Sequence, residues 1–582
     1  MTCRNRLTCT KKRKRSQKSW NKNWCVLSET NMGCRILQNY MRSGILLLFF
    51  LSMTSVEAAI KKVASGTEKP SIRKYEIIDI VFKSEGKIDN PFKIVFNALF
   101  VSPSGKQQTV PAFYNGNGEW IVRFSAGETG SWNYKVESGH KSFDKKNGIV
   151  HVVPEQYMER KGAVTLNKEY PRHFFWEDKS PYFLMGFECD FLFALDYHSK
   201  SSTPRLDGFL DGVKMQGFNH LVMNVYANDV VWKKDEKLKH RPEYEFGNDT
   251  TIFPFQGSNE QPDYSALNVN FFKHLDRTVE ALNERNIISH LMIYVWNKNV
   301  RWPAAGSEAD NLYFDYVVKR YQAFSNIVWD ISKEAILYGN VDDTYILERI
   351  SRLRKMDSFK RLMTVHDFGF CNRNKEAVDF VSHQDWKLGL YADMLRNYEK
   401  FKDCPVYNIE HGGYEECDYE VFCGNYINAE ACLRRNYECA FAGTYSTYYW
   451  QGCSWNVLIY DWDKLPKNSY RPKFDYFKHL VGFFEKYSFH EFRPVPEYNN
   501  SGYCMTDDRG TYLFYLPKES YKVSAGKIMK KAKKISFQWY NTHTGDWSDV
   551  IKEDKMVIFS MPASPWHMKN DVILILKVLE SK

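Results

Sequence analysis

Between residues 74 and 153 apolar and polar positions alternate in short runs, at 75–82, 92–100, 120–124 and 132–136, each broken by turn-forming residues. Alternation with a period of two turns one face of a strand inward, so short interrupted runs of this kind predict a small β-sandwich over residues 70–156. Gly116, Gly118, Gly127 and Gly130 fall between its aromatic strands, where tight turns call for positive φ. Beyond Tyr182 the period changes. Short apolar runs at 182–187, 218–225, 287–295, 327–331, 361–365, 380–383, 406–409 and 444–450 are separated by amphipathic stretches. In those stretches Leu206, Phe209, Leu210 and Val213 recur at helical spacing, as do Phe272, Leu275, Val279 and Leu282. Ile346, Ile350 and Leu353 repeat the pattern, and so do Phe477, Leu480 and Phe484. Eight strands with helices between them predict a central (β/α)8 TIM barrel over residues 160–487, although a doubly wound open sheet leaves a similar trace. After residue 487 the helical period disappears. Short strands at 511–516, 534–540, 556–560 and 572–578 predict a second β-sandwich over residues 488–582, with 541–545 as a tight turn between Trp539 and Trp547.

Length agrees with this division, because 582 residues exceed what one hydrophobic core usually organises. The formal charge of +10 changes the picture less than it suggests. Residues 1–58 hold eleven Lys or Arg against Glu29 and Glu57, leaving 69 basic and 68 acidic residues in the rest. A nearly neutral chain gives no electrostatic case for a nucleic-acid partner. Within that leader, Met41 and Arg42 open a basic region, residues 44–53 form an apolar run, and Val56-Glu57-Ala58 resembles a small-residue cleavage site. The leader therefore predicts a signal peptide and export to the periplasm or the exterior, with no stable membrane span after cleavage; an uncleaved anchor with a basic cytoplasmic tail is the alternative. Residues 1–40 read as an upstream start if Met41 is the true initiator. Nine cysteines lie beyond the leader, and residues 417–453 hold enough of them for one or two disulfides, buried free thiols being the other reading.

Candidate chemistry lies where the barrel strands end, since active sites of this fold sit at the carboxyl face. Glu334 follows the fourth strand in Trp329-Asp-Ile-Ser-Lys-Glu334, and Glu410 closes the seventh in Pro405-Val-Tyr-Asn-Ile-Glu410-His-Gly-Gly. Glycoside hydrolysis needs two carboxyl groups, one to protonate the leaving oxygen and one to attack the anomeric carbon or activate water, and opposite walls of a barrel mouth provide for both. Asp330 is a competing acid, placed mid-strand. His366 and Asp367 end strand 5 and His383 and Asp385 end strand 6, where either histidine is positioned to hydrogen-bond a catalytic carboxylate. Tyr226, Asn228, Trp296, Asn297 and Trp450 follow strands 2, 3 and 8 as substrate-binding candidates, rings for stacking on sugar faces and amides for hydroxyls. His366, Asp367, His383 and His411 match no metal-ligand spacing, so neither metal nor cofactor is expected.

These residues carry a resemblance. The chain resembles glycoside hydrolases of the clan whose acid/base and nucleophile glutamates follow strands 4 and 7. It looks most like bacterial barrel enzymes preceded by a domain known only as DUF5060 and related to the apiosidase-like DUF4038 proteins. Residues 114–134 resemble the leading domain, 182–455 the barrel, and the tail a collagen-binding-type sandwich. The resemblance implies an exported O-glycosyl hydrolase of the retaining type acting on a poly- or oligosaccharide, with Glu410 as nucleophile and Glu334 as acid/base. Many clan members carry Asn before the acid/base; here that position is Lys333. A non-catalytic carbohydrate-binding or adhesion protein on a barrel scaffold, or a transglycosidase, are the alternatives.

Overall fold

The computed structural model describes residues 60–66, 69–156, 160–229, 233–421, 426–499, 503–520, 522–553, 558–560 and 564–581. The leader and its expected signal lie outside the described residues, as does Cys423. Among the described residues no helix is long and apolar enough to cross a membrane.

Alternation folds the N-terminal region into two sheets, one of four strands and one of five, whose facing side chains enclose Ile80, Phe100, Trp120, Val122, Phe124 and Val136. Residues 75–77 and 92–95 fall outside its strands, contrary to the runs read from sequence. Pro91 cannot donate to a ladder and opens a single 3-10 turn (Pro91–Lys93) instead, and Tyr75 takes a positive φ of 66°. The hairpin joining Phe113–Tyr114 to Glu119–Phe124 turns at Gly116 (φ 86°) and Gly118 (φ 70°).

In the centre, eight parallel strands run β1 (Met185–Glu188), β2 (His220–Asn224), β3 (Ile288–Val295), β4 (Ile327–Lys333), β5 (Met363–His366), β6 (Val381–Gln384), β7 (Val406–Glu410) and β8 (Tyr445–Trp450). Their order in the sheet is β5-β4-β3-β2-β1-β8-β7-β6. The first strand therefore lies beside the last, which an open doubly wound sheet does not allow. The remaining seam, between β5 and β6, is bridged by a backbone bond from Asp379 N to Met363 O (2.9 Å) and by side chains: Thr364 Oγ1 donates to Phe380 O (2.9 Å), and Met363 N donates to Asp379 Oδ2 (2.8 Å). Gly186 lets the barrel interior fill, since a Cβ there would lie 2.3 Å from the hydroxyl of Tyr407, which reaches over from β7 past β8.

Each strand is followed by a helix: α1 (Pro204–Met215), α2 (Val269–Glu284), α3 (Glu308–Tyr321), α4 (Asp343–Met356), α5 (Phe368–Arg373), α6 (Leu390–Lys400), α7 (Ala429–Phe441) and α8 (Asp475–Lys486). The apolar stripes read from the sequence on α1, α2, α4 and α8 are the buried faces. Asn268, Ser307, Asp342, Asp367 and Asn428 accept a backbone N–H at the starts of α2, α3, α4, α5 and α7, which fixes where those helices begin.

At the C-terminus a six-stranded antiparallel sheet carries a two-stranded sheet, Lys522–Ser524 with Ile558–Ser560, over a core containing Phe514, Val523, Trp539 and Leu574. Its other face packs on the barrel helices, with Tyr515 stacked on Tyr437 of α7 (5.0 Å) and Tyr540 against Phe483 of α8 (4.8 Å). The eight described cysteines beyond the leader are free, seven of them buried, so the disulfide expected among residues 417–453 does not form among them. They sit in apolar surroundings as small hydrophobic side chains.

Candidate active site

Strand β4 breaks its pairing with β5 between Asp330 and Lys333, and Glu334 then takes φ 57° and ψ 32°. Consecutive residues of a regular strand face opposite ways. The irregularity and the left-handed residue together let Lys333 and Glu334, although adjacent, enter one cluster. Left-handed backbone is uncommon for a residue with a side chain and tends to occur at functional sites. Glu334 heads the one-turn helix Ala335–Tyr338, whose last N–H returns to Glu334 O (3.0 Å).

Glu410 closes β7 and is 4% exposed. Its carboxyl receives Lys333 Nζ at 3.1 Å and lies 3.4 Å from His366 Nε2, and the Tyr414 hydroxyl donates to its other oxygen at 3.3 Å. Burial opposes its ionisation, but the Lys333 charge and His366 overcome that and hold the group well below the usual carboxylate range. Glu334 is shifted the other way, raised by burial and by the neighbouring charge of Glu410. One carboxyl is thus kept as the anion while the other is helped to keep its proton.

A second acidic pair stands at the end of β1. Glu188 accepts from Lys333 Nζ (2.9 Å) and from the Tyr449 hydroxyl, and burial pushes its carboxyl up to about 7. Asp190 pairs with Lys298 (2.7 Å) and accepts from Trp455 N (2.9 Å) and Asn224 Nδ2 (3.1 Å), while the Lys298 ammonium lies 3.3 Å from the centre of the Trp455 ring. None of Glu188, Asp190, Lys298, Tyr414, Tyr449 or Trp455 was identified from sequence. Glu188 and Asp190 carry the signal that found Glu334 and Glu410, an acid just past a strand end; Trp455 lies in a loop without one.

Of the residues read from sequence, Glu334, Glu410 and His366 come together. Asp330 lies inside the barrel, 3.1 Å from His290 Nε2 and accepting from His366 N (2.9 Å), so it supports β5 from within. His383 stands against Phe368 (4.0 Å between ring centres), and burial lowers its pKa to about 4. Trp296 and Asn297 are partly exposed, and a Cβ at Gly339, in the loop after Glu334, would come within 2.7 Å of the Trp296 ring. Asn228 is partly exposed and accepts from the Tyr226 hydroxyl (3.3 Å). Two further candidates are more deeply enclosed. Tyr226 is 3% exposed among Phe253, Phe271 and Trp302, and Trp450 is fully buried with its indole N–H on Glu416 O (3.2 Å). In this structure both rings pack against protein: Tyr226 in the aromatic cluster beyond β2, and Trp450 in β8, whose side chains are enclosed on both sides of the strand. A cavity of about 660 Å³ lies elsewhere, between the N-terminal sandwich and the start of β5, lined by Tyr75, Trp132, Glu177 and Phe359.

Residues 169–468 match the family model described as apiosidase-like, catalytic domain, and residues 71–139 match the domain of unknown function DUF5060. A Bacteroides vulgatus protein assigned to the glycoside hydrolases has a similar structure, with 17% identity, a TM-score of 0.67, and coverage of 87% of this chain and 99% of its own. A glycoside hydrolase family 5 protein of the same species superposes with a TM-score of 0.53 at 16% identity, covering 73% of this chain and 96% of its own. At these identities the likeness shows the fold. No curated protein sequence matches the chain.

Proposed function

Because the chain belongs to the apiosidase-like catalytic-domain family and is a glycosidase, we propose that it hydrolyses O-glycosidic bonds of a poly- or oligosaccharide with retention, Glu410 acting as nucleophile and Glu334 as acid/base. The observation that carries this reading is the placing of Lys333 Nζ at 3.1 Å and His366 Nε2 at 3.4 Å from the buried Glu410, which favours its anion, while burial and the charge of Glu410 bias Glu334 toward the acid. In the first step a Glu410 oxygen attacks the anomeric carbon, the bond to the leaving oxygen breaks, and Glu334 supplies that oxygen with its proton. Glu334, now ionised, takes a proton from water, which displaces Glu410 and releases the sugar.

Release of reducing sugar from a panel of plant, algal and host glycans by residues 59–582 tests the activity, and silence on every glycan would favour a binding protein. Glu334→Gln should lose about 10²- to 10⁴-fold in kcat/KM on the glycan that reacts. The loss should be much smaller on a 4-nitrophenyl glycoside, whose leaving group needs no proton; equal losses on both would remove Glu334 from the acid role. Wild-type activity should fall on the basic side as the raised Glu334 carboxyl ionises, and that limb should vanish in Glu334→Gln. Export is part of the proposal. The leader's apolar run and its small-residue end support cleavage after Ala58, so amino-terminal sequencing of protein recovered outside the cytoplasm should begin at residue 59. An intact leader on that material would favour an anchored protein.

A further inference from the structure

Lys333 Nζ stands between Glu188 Oε1 at 2.9 Å and Glu410 Oε2 at 3.1 Å, and the three side chains are 4%, 3% and 6% exposed. An ammonium withdrawn from water to this degree is costly to bury without a carboxylate beside it, and removing Lys333 would leave two buried carboxyls facing each other. Two anchors hold the arrangement. The Tyr449 hydroxyl lies between Glu188 and the carbonyl of Ile409, the residue before Glu410, and the broken pairing of β4 brings Lys333 inward. Side chains of β1, β4 and β8 are thereby tied around the end of β7.

We propose that Lys333 is a positioning residue, clamped from the far side by Glu188, that keeps Glu410 ionised and aimed for attack. The inference rests on the reading of Glu410 as nucleophile. Among the described residues, the side chains that face Glu410 include Lys333 from β4, His366 from β5, Tyr414 from beyond β7, Tyr449 from β8, and the carboxyls of Glu188 from β1 and Glu334 after β4. Lys333 is the nearest cation among them, and the other two carboxyls work against ionisation of Glu410. Glu188 has its own part. When Glu410 becomes an ester to the sugar it loses its charge, and Lys333 would be a buried cation without a contacting carboxylate if Glu188 were absent. In the free enzyme the Glu410 carboxylate neutralises the ammonium; in the ester, where the Glu410 charge that helps raise the Glu188 carboxyl is gone, Glu188 takes over that part, and no proton enters or leaves Lys333 in either step.

The test reads Glu410 without substrate, as the pH midpoint of the carboxyl infrared band that distinguishes each protein from the same protein carrying Glu410→Gln. In Lys333→Met the midpoint should rise by about 1 to 3 pH units, and Lys333→Arg should bring most of it back. Glu188→Gln should leave the midpoint no higher than wild type while lowering kcat on the glycan found above, since only the ester then lacks a partner for Lys333. If Lys333→Met alone does not fold, Glu188→Gln with Lys333→Met relieves the two apposed carboxylates and is read against Glu188→Gln. An unmoved midpoint in a folded Lys333→Met protein overturns the inference. Failure of the hydrolase reading shows separately, as a wild type that turns over no glycan while its Glu410 midpoint still responds to Lys333.

Discussion

Glu410→Gln should abolish turnover, with kcat falling roughly ten-thousand- to million-fold, the scale seen when a covalent nucleophile is removed. The substitution changes little else. Glutamine has the shape of glutamate, its carbonyl still accepts from Tyr414, and Lys333 keeps Glu188 as a charged partner. The folded state should therefore survive, and the loss should fall on kcat. It should also exceed the loss in Glu334→Gln on every leaving group, because an activated aglycone excuses the acid and nothing excuses the nucleophile. Glu410→Ala opens a small space beside Lys333 and His366, into which azide fits as an anion. A glycosyl azide of configuration opposite to the substrate, identified by NMR, would mark Glu410 as the group that attacks. Full activity in Glu410→Gln, or an azide product of unchanged configuration, would move the nucleophile elsewhere.

The sequence shows some parts of this site better than others, and the reasons are physical. The barrel strands are legible because each is a short apolar run set off by an amphipathic helix, and burial on α1 and α2 follows the periodic positions Leu206 to Val213 and Phe272 to Leu282. Glu334 and Glu410 stand out because a charge at the end of such a run is unusual. Glu188 and Asp190 obey the same rule, but the carboxyl pair after strands 4 and 7 accounts for hydrolysis without them. Lys333 is hidden for another reason. In an alternating strand it belongs on the face opposite Glu334, and only the irregular pairing of β4 with a left-handed residue that is neither Gly nor Asn puts the two together. Trp450 illustrates the limit of pattern: every residue of β8 is buried, so neither period nor residue type tells a pocket wall from packing.

Asp276→Ala should be the most damaging substitution outside the site, costing about 3 to 5 kcal/mol, the range for leaving a buried ion pair without one partner. Asp276 on α2 holds two guanidiniums, Arg123 of the N-terminal sandwich at 2.9 Å and Arg320 of α3 at 2.7 Å, and Arg123 reaches back to Asp79 at 2.8 Å. Arg320 in turn donates to Asn115 of the sandwich hairpin (3.1 Å). Both arginines are almost completely buried, so without Asp276 one retains Asp79 and the other retains no carboxylate at all. The damage should appear where sandwich and barrel meet, as a calorimetric transition that moves down in temperature and separates the sandwich from the barrel. The pair Arg493 with Asp508 serves as control, being 52% and 59% exposed, and Asp508→Ala should cost no more than about 1 kcal/mol. pH gives a second readout with a definite sign. Burial works against the Asp276 carboxylate, yet Arg123 and Arg320 hold it at about 2, below its ordinary 3.8. A group depressed in the folded state stabilises the protein above its unfolded pKa and loses that contribution as pH falls toward the folded value. Part of the wild-type stability should therefore disappear between about pH 4 and pH 2, and in Asp276→Asn that part of the slope should be missing. An acid slope unchanged by the substitution, or a melting temperature no lower than that of Asp508→Ala, would mean that apolar contacts such as Phe113 against Tyr316, rather than this charge cluster, hold the sandwich to the barrel.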